Sequence, residues 1–388
     1  MNVTIAIDSF KGSLSSMEAG LAAAEGVKRA IPNATCTVRP LADGGEGTVD
    51  ALVAGLGGEL RHVTVTGPAG KPVTAKYGLV GTMAVMEMAE ASGITLVSGA
   101  ERNALVTTTY GVGEMILDAV KAGAKTFVIG IGGSATNDAG AGMLQALGWR
   151  LLDADGQDVP RGGAALSQVA KILPPASHLP PPTSNLQPPT STLTSNLTFR
   201  IACDVKNPLC GPQGASAIYG PQKGATPDGV KTLDAALAHF ASVAGDPATT
   251  PGDGAAGGLG FAFRRFLQAD LVPGVDLILG ETKLADHVKD ADVVITGEGR
   301  LDGQTVMGKA PIGVARLAKD FGKTVLAFSG CVGDGVEAVN AAGIDAFFPI
   351  LRKITTLDEA LEKSTAAANL SATVEQAFRV LAVSRKES

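Results

Sequence analysis

The sequence predicts two α/β domains, one of them Rossmann- or flavodoxin-like with a parallel sheet and discontinuous in the chain. Short apolar runs repeatedly lead into Gly-rich turns and then into helical patterns, which is typical of βαβ units. This rhythm is clear at both ends of the chain and mixed in the middle. The 388 residues also exceed what one hydrophobic core usually organises. We therefore expect a discontinuous domain of residues 1–62 and 285–388 around an inserted domain of residues 63–284.

The chain opens with a predicted strand over Val3–Asp8. A helix from about Ser15 to Ala30 follows, because Leu21, Ala24 and Val27 recur at helical spacing. Further along the chain, three runs predict buried strands: Phe127–Ile131, Val293–Thr296 and Thr324–Phe328. The helices predicted after them run through Leu147, over Pro311–Lys319 and over Val336–Ala341. In the middle of the chain, the predicted strands are closely spaced, over Val63–Val65, Val73–Leu79 and Ala84–Met88.

Composition excludes several classes of protein. The chain has 32 basic and 38 acidic residues and no basic cluster, so nucleic acid is not expected as a partner. It has no apolar run long enough to cross a membrane and no recognisable leader, so we expect a cytoplasmic protein. The four cysteines form no CxxC pair, which argues against a zinc site. The oligomeric state, a homodimer included, is left open because no heptad pattern indicates an interface.

One low-complexity segment, residues 174–196, departs from the rest of the chain. It is rich in proline, serine and threonine and carries no charge. Such a composition cannot bury enough apolar surface to offset the entropy of ordering. We interpret it as a surface loop of the inserted domain.

Two motifs place carboxylates at the ends of predicted elements. Asp8 and Ser9 end the first strand, and Lys11 lies in the turn that follows. Taken alone, this motif is better explained by capping of the next helix and a surface lysine. The segment 43–47 contains Asp43 and Glu46 among three glycines. Because adjacent glycines are costly unless the backbone turns sharply or approaches a ligand, we interpret Asp43 as a base or metal ligand and Gly44 and Gly45 as ligand contacts.

The segment 130–138 lies between a predicted strand and a predicted helix and has three glycines in four positions. Consecutive backbone N–H groups at a helix N-terminus bind anions, and hydroxyl groups add donors. We therefore predict phosphate binding by Gly132, Gly133, Ser134, Ala135 and Thr136.

Three later segments carry weaker indications. Asp204 ends an apolar run, the usual place for a catalytic or metal-binding acid, and Lys223 lies in a Gly/Pro turn where it could neutralise phosphate charge. The glycine-rich segment 253–260 is as well explained by close helix packing as by ligand contact. Residues 303–309 match most of a Walker A motif, but Ala310 stands where that motif needs Ser or Thr, so we reject it. The residues that could still line a nucleotide pocket are Glu298, Asp302, Thr305 and Lys309.

All four histidines lie outside the Gly-rich turns, which argues against histidine acid–base chemistry. The remaining candidate functional groups are carboxylates, lysines, hydroxyls and backbone amides. These groups are typical of enzymes that catalyse Mg²⁺-dependent phosphoryl transfer, which depends on positioning and charge neutralisation.

Together these motifs resemble the bacterial class I glycerate kinases across nearly the whole chain. The matching strings are IAIDSFKGSLS, PLADGGEGTVDA, YGVGEMI, IGIGGSATNDAGAGMLQALG, CDVKNPLCGPQGA, YGPQKGATP, GAAGGLG and VITGEGRLDGQTVMGKAPIGVA. The chain departs from the family at residues 174–196 and at Ala104, where a proline is expected.

The resemblance implies ATP-dependent phosphorylation of D-glycerate with Mg²⁺, at O2, giving 2-phosphoglycerate. For this chemistry we assign Asp43 and Asp204 as base or metal ligand without separating the two roles. Lys11 is assigned to the glycerate carboxylate, with Lys223 and Lys309 as further charge neutralisers. Asp8, Ser9, Gly44, Gly45 and Glu46 complete the expected substrate site.

Three alternatives stay open. The first is a glycerate kinase that forms 3-phosphoglycerate, since O2 and O3 differ only by small displacements. The second is a nicotinamide-dependent hydroxypyruvate reductase, although no GxGxxG motif directly follows a strand. The third is an intracellular two-lobed protein that binds a small anion without turnover.

Overall fold

The computed structural model describes residues 1–45, 47–175 and 196–384. The strands in these residues are β1 (Asn2–Ile7), β2 (Thr35–Val38), β3 (Glu59–Thr66), β4 (Pro72–Val80), β5 (Met83–Glu87), β6 (Thr126–Gly130), β7 (Arg150–Leu152), β8 (Lys171–Leu173), β9 (Thr198–Ala202), β10 (Asp270–Val272), β11 (Val293–Leu301), β12 (Thr324–Val332) and β13 (Ala346–Pro349).

The α-helices in the same residues are α1 (Ser16–Ala30), α2 (Thr48–Leu56), α3 (Ala89–Ser92), α4 (Tyr110–Lys121), α5 (Ala141–Ala146), α6 (Ala215–Tyr219), α7 (Pro227–Val243), α8 (Leu259–Leu267), α9 (Gly274–Glu281), α10 (Leu284–Val288), α11 (Ala310–Asp320), α12 (Ala338–Ala341), α13 (Leu357–Leu361) and α14 (Lys363–Ser384). Short 3₁₀ helices lie at Ile94–Leu96, Gly99–Glu101, Ala164–Gln168, Pro221–Lys223, Ala255–Gly258 and Thr305–Met307.

The chain divides into two compact units. The first contains the described residues of Met1–Asp43, Asp50–Gly58 and Val275–Ser388, and the second those of Gly44–Val49 and Glu59–Gly274. Among the residues described, every helix is too short or too polar to span a bilayer.

The first unit is built on a five-stranded sheet with the order β13-β12-β11-β1-β2, in which every pair is parallel. Its central strands begin with largely apolar, buried runs, as expected for a parallel sheet covered on both faces. Ile5 pairs with Ile295, and Ile295 with Leu326, in the buried centre of the sheet. Helices α1 and α14 pack against one another beside this sheet, where Gly26 lets the helices approach closely: a Cβ there would lie 2.2 Å from the Ser371 carbonyl oxygen.

The second unit has a mixed six-stranded sheet with the order β10-β9-β6-β5-β4-β3. Strands β3, β4 and β5 form an antiparallel meander, whereas β5, β6, β9 and β10 are parallel. Stacked rings of Phe127 and Phe199, 4.8 Å apart, lie in its core. A separate antiparallel pair, β7-β8, completes the strands of this unit.

Several predicted elements are confirmed. Helix α1 lies where the spacing placed it, and Ser15 caps it in a capping box with Glu18. Helix α11 and strands β1 and β6 also lie where the sequence pattern predicts them. Leu21, one of the apolar positions that indicated α1, is 57% exposed, whereas Val27 is buried.

Two predicted turns are wrong. Gly297 to Leu301 and Ser329 to Val332 continue strands β11 and β12 instead of ending them. The reason is mutual pairing, because the two strands remain in register from Val293↔Thr324 to Leu301↔Val332. Gly297 allows this pairing, since a Cβ there would lie 1.9 Å from the Phe328 carbonyl oxygen.

The expected domain boundaries also need adjustment. A boundary between residues 62 and 63 would cut β3, whose residues pair with β4 along its whole length. A boundary between residues 284 and 285 would cut α10, and the contacts of the first unit already begin at Val275. Most of the predicted surface loop, residues 176–195, lies outside the described residues. Beside Ala104, Asn103 accepts hydrogen bonds from the N–H groups of Leu105, Val106 and Thr107.

Candidate active site

In the first unit, Asp8 follows β1 at the carboxyl edge of the parallel sheet. The Asp8 N–H donates to the Gly297 carbonyl oxygen at 2.9 Å, which sets Asp8 beside Glu298 of β11. Burial and the nearby Asp43 carboxylate, with a smaller contribution from Glu298, raise the pKa of Asp8 to about 7 against the opposing effects of the Ser9 N–H and Lys11. The structure thus groups two predicted acidic residues, Asp43 and Glu298, around the half-buried carboxyl of Asp8.

Glu298 is held from two sides. The Thr305 hydroxyl donates to its Oε1 at 2.7 Å, and Lys309 Nζ lies 3.5 Å from its Oε2. Burial raises the pKa of Glu298 despite these two partners. Asp302 closes the same turn by donating its N–H to the Thr305 hydroxyl at 3.1 Å. The four residues predicted to line a nucleotide pocket are therefore neighbours.

Lys11 lies in the exposed turn after β1. Its ammonium lowers the pKa of Asp8, so it acts on the same cluster of carboxylates. Ser9 lies between the two and donates its N–H to Asp8 Oδ1 at 2.7 Å. An exposed ammonium beside a partly exposed acid is suited to binding a small anion.

In the second unit, the glycine-rich loop follows β6. Gly132 and Gly133 are exposed, whereas Ser134, Ala135 and Thr136 are buried. The predicted helix N-terminus behind this loop is wrong, because α5 begins only at Ala141 and has six residues. The loop instead pairs with the segment after β5: Ile94 N–H donates to the Gly133 carbonyl oxygen at 2.8 Å, and Ala135 N–H donates to that of Ser92 at 2.9 Å.

Lys223 is buried, with 1% of its surface exposed. Its Nζ donates to Ser134 Oγ and to the Thr136 carbonyl oxygen, both at 2.7 Å. Burial lowers the pKa of Lys223 to about 7, and the Asp138 carboxylate opposes that effect. In the described residues, Lys223 therefore donates its hydrogen bonds to acceptors of the glycine-rich loop.

Asp138, which sequence reasoning did not single out, is fully buried beside this loop. It accepts hydrogen bonds from the Thr109 N–H and hydroxyl and from the N–H groups of Gly140 and Gly142. Burial raises its pKa against these donors. The signal in the sequence was the dipeptide Asn137-Asp138 directly after the predicted anion loop.

Gly44 and Asp204 lie near one another in the second unit. Gly44 has φ +87°, and a Cβ there would lie 2.7 Å from Ala202 Cβ and 2.9 Å from Gly274 Cα. Asp204 accepts a hydrogen bond from the Gly274 N–H at 2.9 Å. Gly45 accepts one from the Thr48 hydroxyl at 2.7 Å, while Glu46 lies outside the described residues.

A cavity of about 330 Å³ lies in the second unit between the glycine-rich loop and the segment after β5. Its lining comprises Gly44, Gly45, Thr74, Glu87, Ala89, Glu90, Ile94, Thr95, Leu96, Gly130, Gly132 and Gly133. Sequence reasoning identified only its glycines. For the other lining residues, the available signal was a pair of acidic residues, Glu87 at the end of the predicted strand Ala84–Met88 and Glu90 just after it.

The predicted catalytic acids fall in different units, Asp43 in the first and Asp204 in the second. Among the described residues, no group of three or more His, Cys, Asp or Glu side chains forms a metal site. The donor set still fits Mg²⁺, which usually takes one or two carboxylates and completes its shell with water and phosphate oxygens.

The glycine-rich segment 253–260 packs against the base of the same loop. A Cβ at Gly257 would lie 2.1 Å from the Thr136 carbonyl oxygen, and Gly257 accepts a hydrogen bond from Ala139 N–H at 3.0 Å. Close packing explains these glycines.

Fold and site define an α/β enzyme of the small-molecule kinase class, with carboxylates and a glycine-rich loop at the carboxyl ends of parallel strands. The chain belongs to the glycerate kinase family, whose family model matches residues 3–382. It is 47% identical to a glycerate kinase of Halalkalibacterium halodurans, over 98% of this chain and 97% of that protein. It is 44% identical to a glycerate 2-kinase of Escherichia coli, over 96% and 98% respectively. A crystal structure provisionally assigned as glycerate kinase 2 of Salmonella typhimurium superposes with a TM-score of 0.88 at 43% identity, covering 100% of this chain and 99% of that one.

Proposed function

We propose that this protein transfers the γ-phosphoryl group of ATP to O2 of D-glycerate, giving 2-phospho-D-glycerate and ADP. The observation that carries the proposal is the family match over residues 3–382, and the similarity to a glycerate 2-kinase favours O2. ATP as substrate and four free thiols also favour the cytoplasm as the location.

In the first unit, Lys11 is the proposed partner of the glycerate carboxylate. Its exposed ammonium and the Ser9 turn can bind a small anion beside the partly exposed Asp8. Because burial and the Asp43 carboxylate raise the pKa of Asp8 to about 7, Asp8 is mostly uncharged below that pH and repels the anion little there.

Proton transfer requires a carboxylate near the attacking hydroxyl. We propose Asp43 or Asp204 as the group that accepts the proton of the glycerate 2-hydroxyl, because both follow strands and both are acidic. Either of the two residues, each within its own unit, is also a proposed protein ligand of Mg²⁺, which when bound would neutralise phosphate charge.

In the second unit, Gly132 to Thr136 are the proposed phosphate contacts, with the exposed backbone of Gly132 and Gly133 closest to solvent. Lys223 contributes by fixing Ser134 and Thr136 from beneath. Lys309 is the proposed charge neutraliser on the first unit, where it is paired with Glu298 beside Thr305 and Asp302.

The test is ADP release on addition of D-glycerate to the purified protein with Mg-ATP. Wild type should release ADP only when D-glycerate is present. Asp43→Asn and Asp204→Asn should each lose at least about 100-fold in kcat, the low end of general-base effects. Asp358→Asn and Asp228→Asn, on exposed helix ends, are the matched controls and should leave kcat unchanged. No ADP release by folded wild type contradicts the function, and near-wild-type kcat in both site variants contradicts the assigned roles.

A further inference from the structure

We propose that the cavity beside Gly132 and Gly133 binds the adenosine half of ATP. The inference rests on the proposed kinase function and adds to it the place of the nucleoside. The volume of the cavity, about 330 Å³, lies at the lower end of the range typical of small-molecule sites.

The cavity has two walls that are hydrogen bonded to one another. One wall is the segment from Glu87 to Leu96, and the other is the glycine-rich loop from Gly130 to Gly133. Ile94 N–H donates to the Gly133 carbonyl oxygen at 2.8 Å, and the Gly93–Ser134 bridge continues this contact. The folded loop therefore fixes the position of both walls before any ligand binds.

The chemistry of the walls favours a nucleoside over an anion. Ile94, Leu96 and Ala89 present aliphatic surface, which suits a flat apolar base. Glu87 and Glu90 also line the cavity, and two carboxylates disfavour the carboxylate of glycerate or a phosphate at the same place. Carboxylates do accept hydrogen bonds from ribose hydroxyls, so adenosine satisfies both parts of the lining.

Both acids are fixed by backbone N–H donors. Glu87 is 8% exposed and accepts a hydrogen bond from Val49 N–H at 3.1 Å. Glu90 is partly exposed and accepts one from Lys76 N–H at 3.4 Å. A carboxylate offers about four acceptor sites, so Glu90 can take a further donor.

The cavity is continuous with the proposed phosphate contacts. Gly132 and Gly133 line the cavity and also begin the segment Gly132–Thr136. An adenosine bound there would place its phosphates along the exposed backbone of Gly132 and Gly133.

Two experiments test the proposal. The first is photolabelling with 8-azido-ADP, followed by identification of the labelled tryptic peptide. Cleavage after Lys76 and Arg102 yields a peptide of residues 77–102 that contains one whole wall. We expect the label on that peptide, prevented by excess ADP and not by glycerate. A label confined to peptides that contribute no residue to the lining of the cavity would overturn the proposal.

The second experiment fills the cavity with Ile94→Trp, which leaves the Ile94 backbone hydrogen bond in place. We expect the Kd for ADP, measured by calorimetry without turnover, to rise at least about tenfold while the KM for glycerate changes less than twofold. Ile354→Trp, at a fully exposed isoleucine, is the matched control and should not change the Kd. If Ile94→Trp does not fold, Thr95→Trp, at an exposed residue of the same wall, replaces it.

The outcomes distinguish a failure of the proposed adenosine site from a failure of the proposed kinase function. An unchanged Kd for ADP in the folded variant, or a rise in the KM for glycerate alone, overturns the adenosine site and leaves ADP release by wild type intact. Absence of glycerate-dependent ADP release by wild type overturns the kinase function, whereas the calorimetric and labelling results still report where ADP binds.

Discussion

Lys223 Nζ lies 2.7 Å from Ser134 Oγ, so a buried ammonium supports the glycine-rich loop from beneath. The same Nζ donates to the Thr136 carbonyl oxygen, which fixes two of the five predicted phosphate-binding residues. A fully buried cation is costly unless it is hydrogen bonded, and these two acceptors together with Asp138 offset part of that cost. The lysine expected to touch phosphate is thereby placed to act through the loop.

Replacing Lys223 should therefore weaken catalysis by disordering the loop. In Lys223→Met, Ser134 and the Thr136 carbonyl lose their donor, and we expect kcat/KM for ATP to fall at least about tenfold. Lys231→Met is the matched control, because Lys231 is 79% exposed and pairs only with Asp228 in the described residues. Steady-state kinetics of the two folded variants check this, and equal values would contradict the supporting role of Lys223.

Gly132→Ala should impair ATP use without destabilising the fold. Nothing lies within 4 Å of a Cβ placed at Gly132, and its φ is outside the left-handed region. The added methyl group would meet a ligand and not the protein, so we expect an unchanged Tm and at least a tenfold rise, about 1.4 kcal/mol, in the KM for ATP. Gly280→Ala, on an exposed and equally open position of α9, is the control and should be active and slightly stabilised. A Gly132→Ala enzyme with wild-type KM would exclude phosphate contact at this residue.

The pH dependence of stability should report the buried Asp8 carboxyl. Its folded pKa of about 7 exceeds the unfolded value, so the folded protein holds a proton that the unfolded chain releases between pH 4 and 7. The stability contributed by this proton is complete below about pH 4 and is lost as the pH rises through 7. Asp8→Asn does not lose this stability as the pH rises. The difference between its Tm and that of wild type should therefore increase by about 2 °C or more from pH 4 to pH 8.

Thermal unfolding is to be measured in EDTA, so that no cation contributes. The exposed Asp320→Asn, at the end of α11, is the control and should give a difference from wild type that does not depend on pH. A flat difference for Asp8→Asn as well would show that Asp8 titrates normally.

Arg264 should be required for the stability of the second unit. Its Nε donates to Oδ1 of the fully buried Asp253 at 2.7 Å, and its guanidinium also contacts Asp246. Arg264→Met leaves Asp253 buried without this partner, and we expect the free energy of unfolding to fall by about 3 kcal/mol or more. Arg265→Met, at a 42% exposed residue 3.7 Å from Asp246, should cost less than about 1 kcal/mol. Urea unfolding measures the free energy of unfolding of both variants. Similar losses in the two variants would contradict the importance of the buried ion pair between Arg264 and Asp253.

Local patterns in the sequence predicted the elements that position the site. Asp8 and Gly132 follow apolar runs that are indeed parallel strands, and such strands end at one edge of a sheet. The helical spacing before Ala30 and the Pro at the start of α11 were equally local signals. These predictions succeeded because the periodicity of apolar residues and the capping of helices depend on residues close together in the sequence.

Long-range pairing could not be predicted in the same way. Gly297 looked like a turn residue because its role, close approach to Phe328 of the neighbouring strand, depends on a partner 31 positions away. The inward direction of Lys223 and the alignment of Ile94 with Gly133 likewise depend on how distant segments pack. The carboxylates of Asp8 and Glu298 lie in separate motifs, and only the β1–β11 register brings them together.

The most direct test of the proposed reaction is identification of its product with Mg-ATP and D-glycerate. Enolase and pyruvate kinase are supplied and phosphoglycerate mutase is omitted, so that only 2-phosphoglycerate is carried on to pyruvate. We predict pyruvate formation without the mutase, at a rate proportional to the amount of protein. Pyruvate only after the mutase is added would identify 3-phosphoglycerate and contradict phosphorylation at O2, and no pyruvate in either case would contradict glycerate phosphorylation itself.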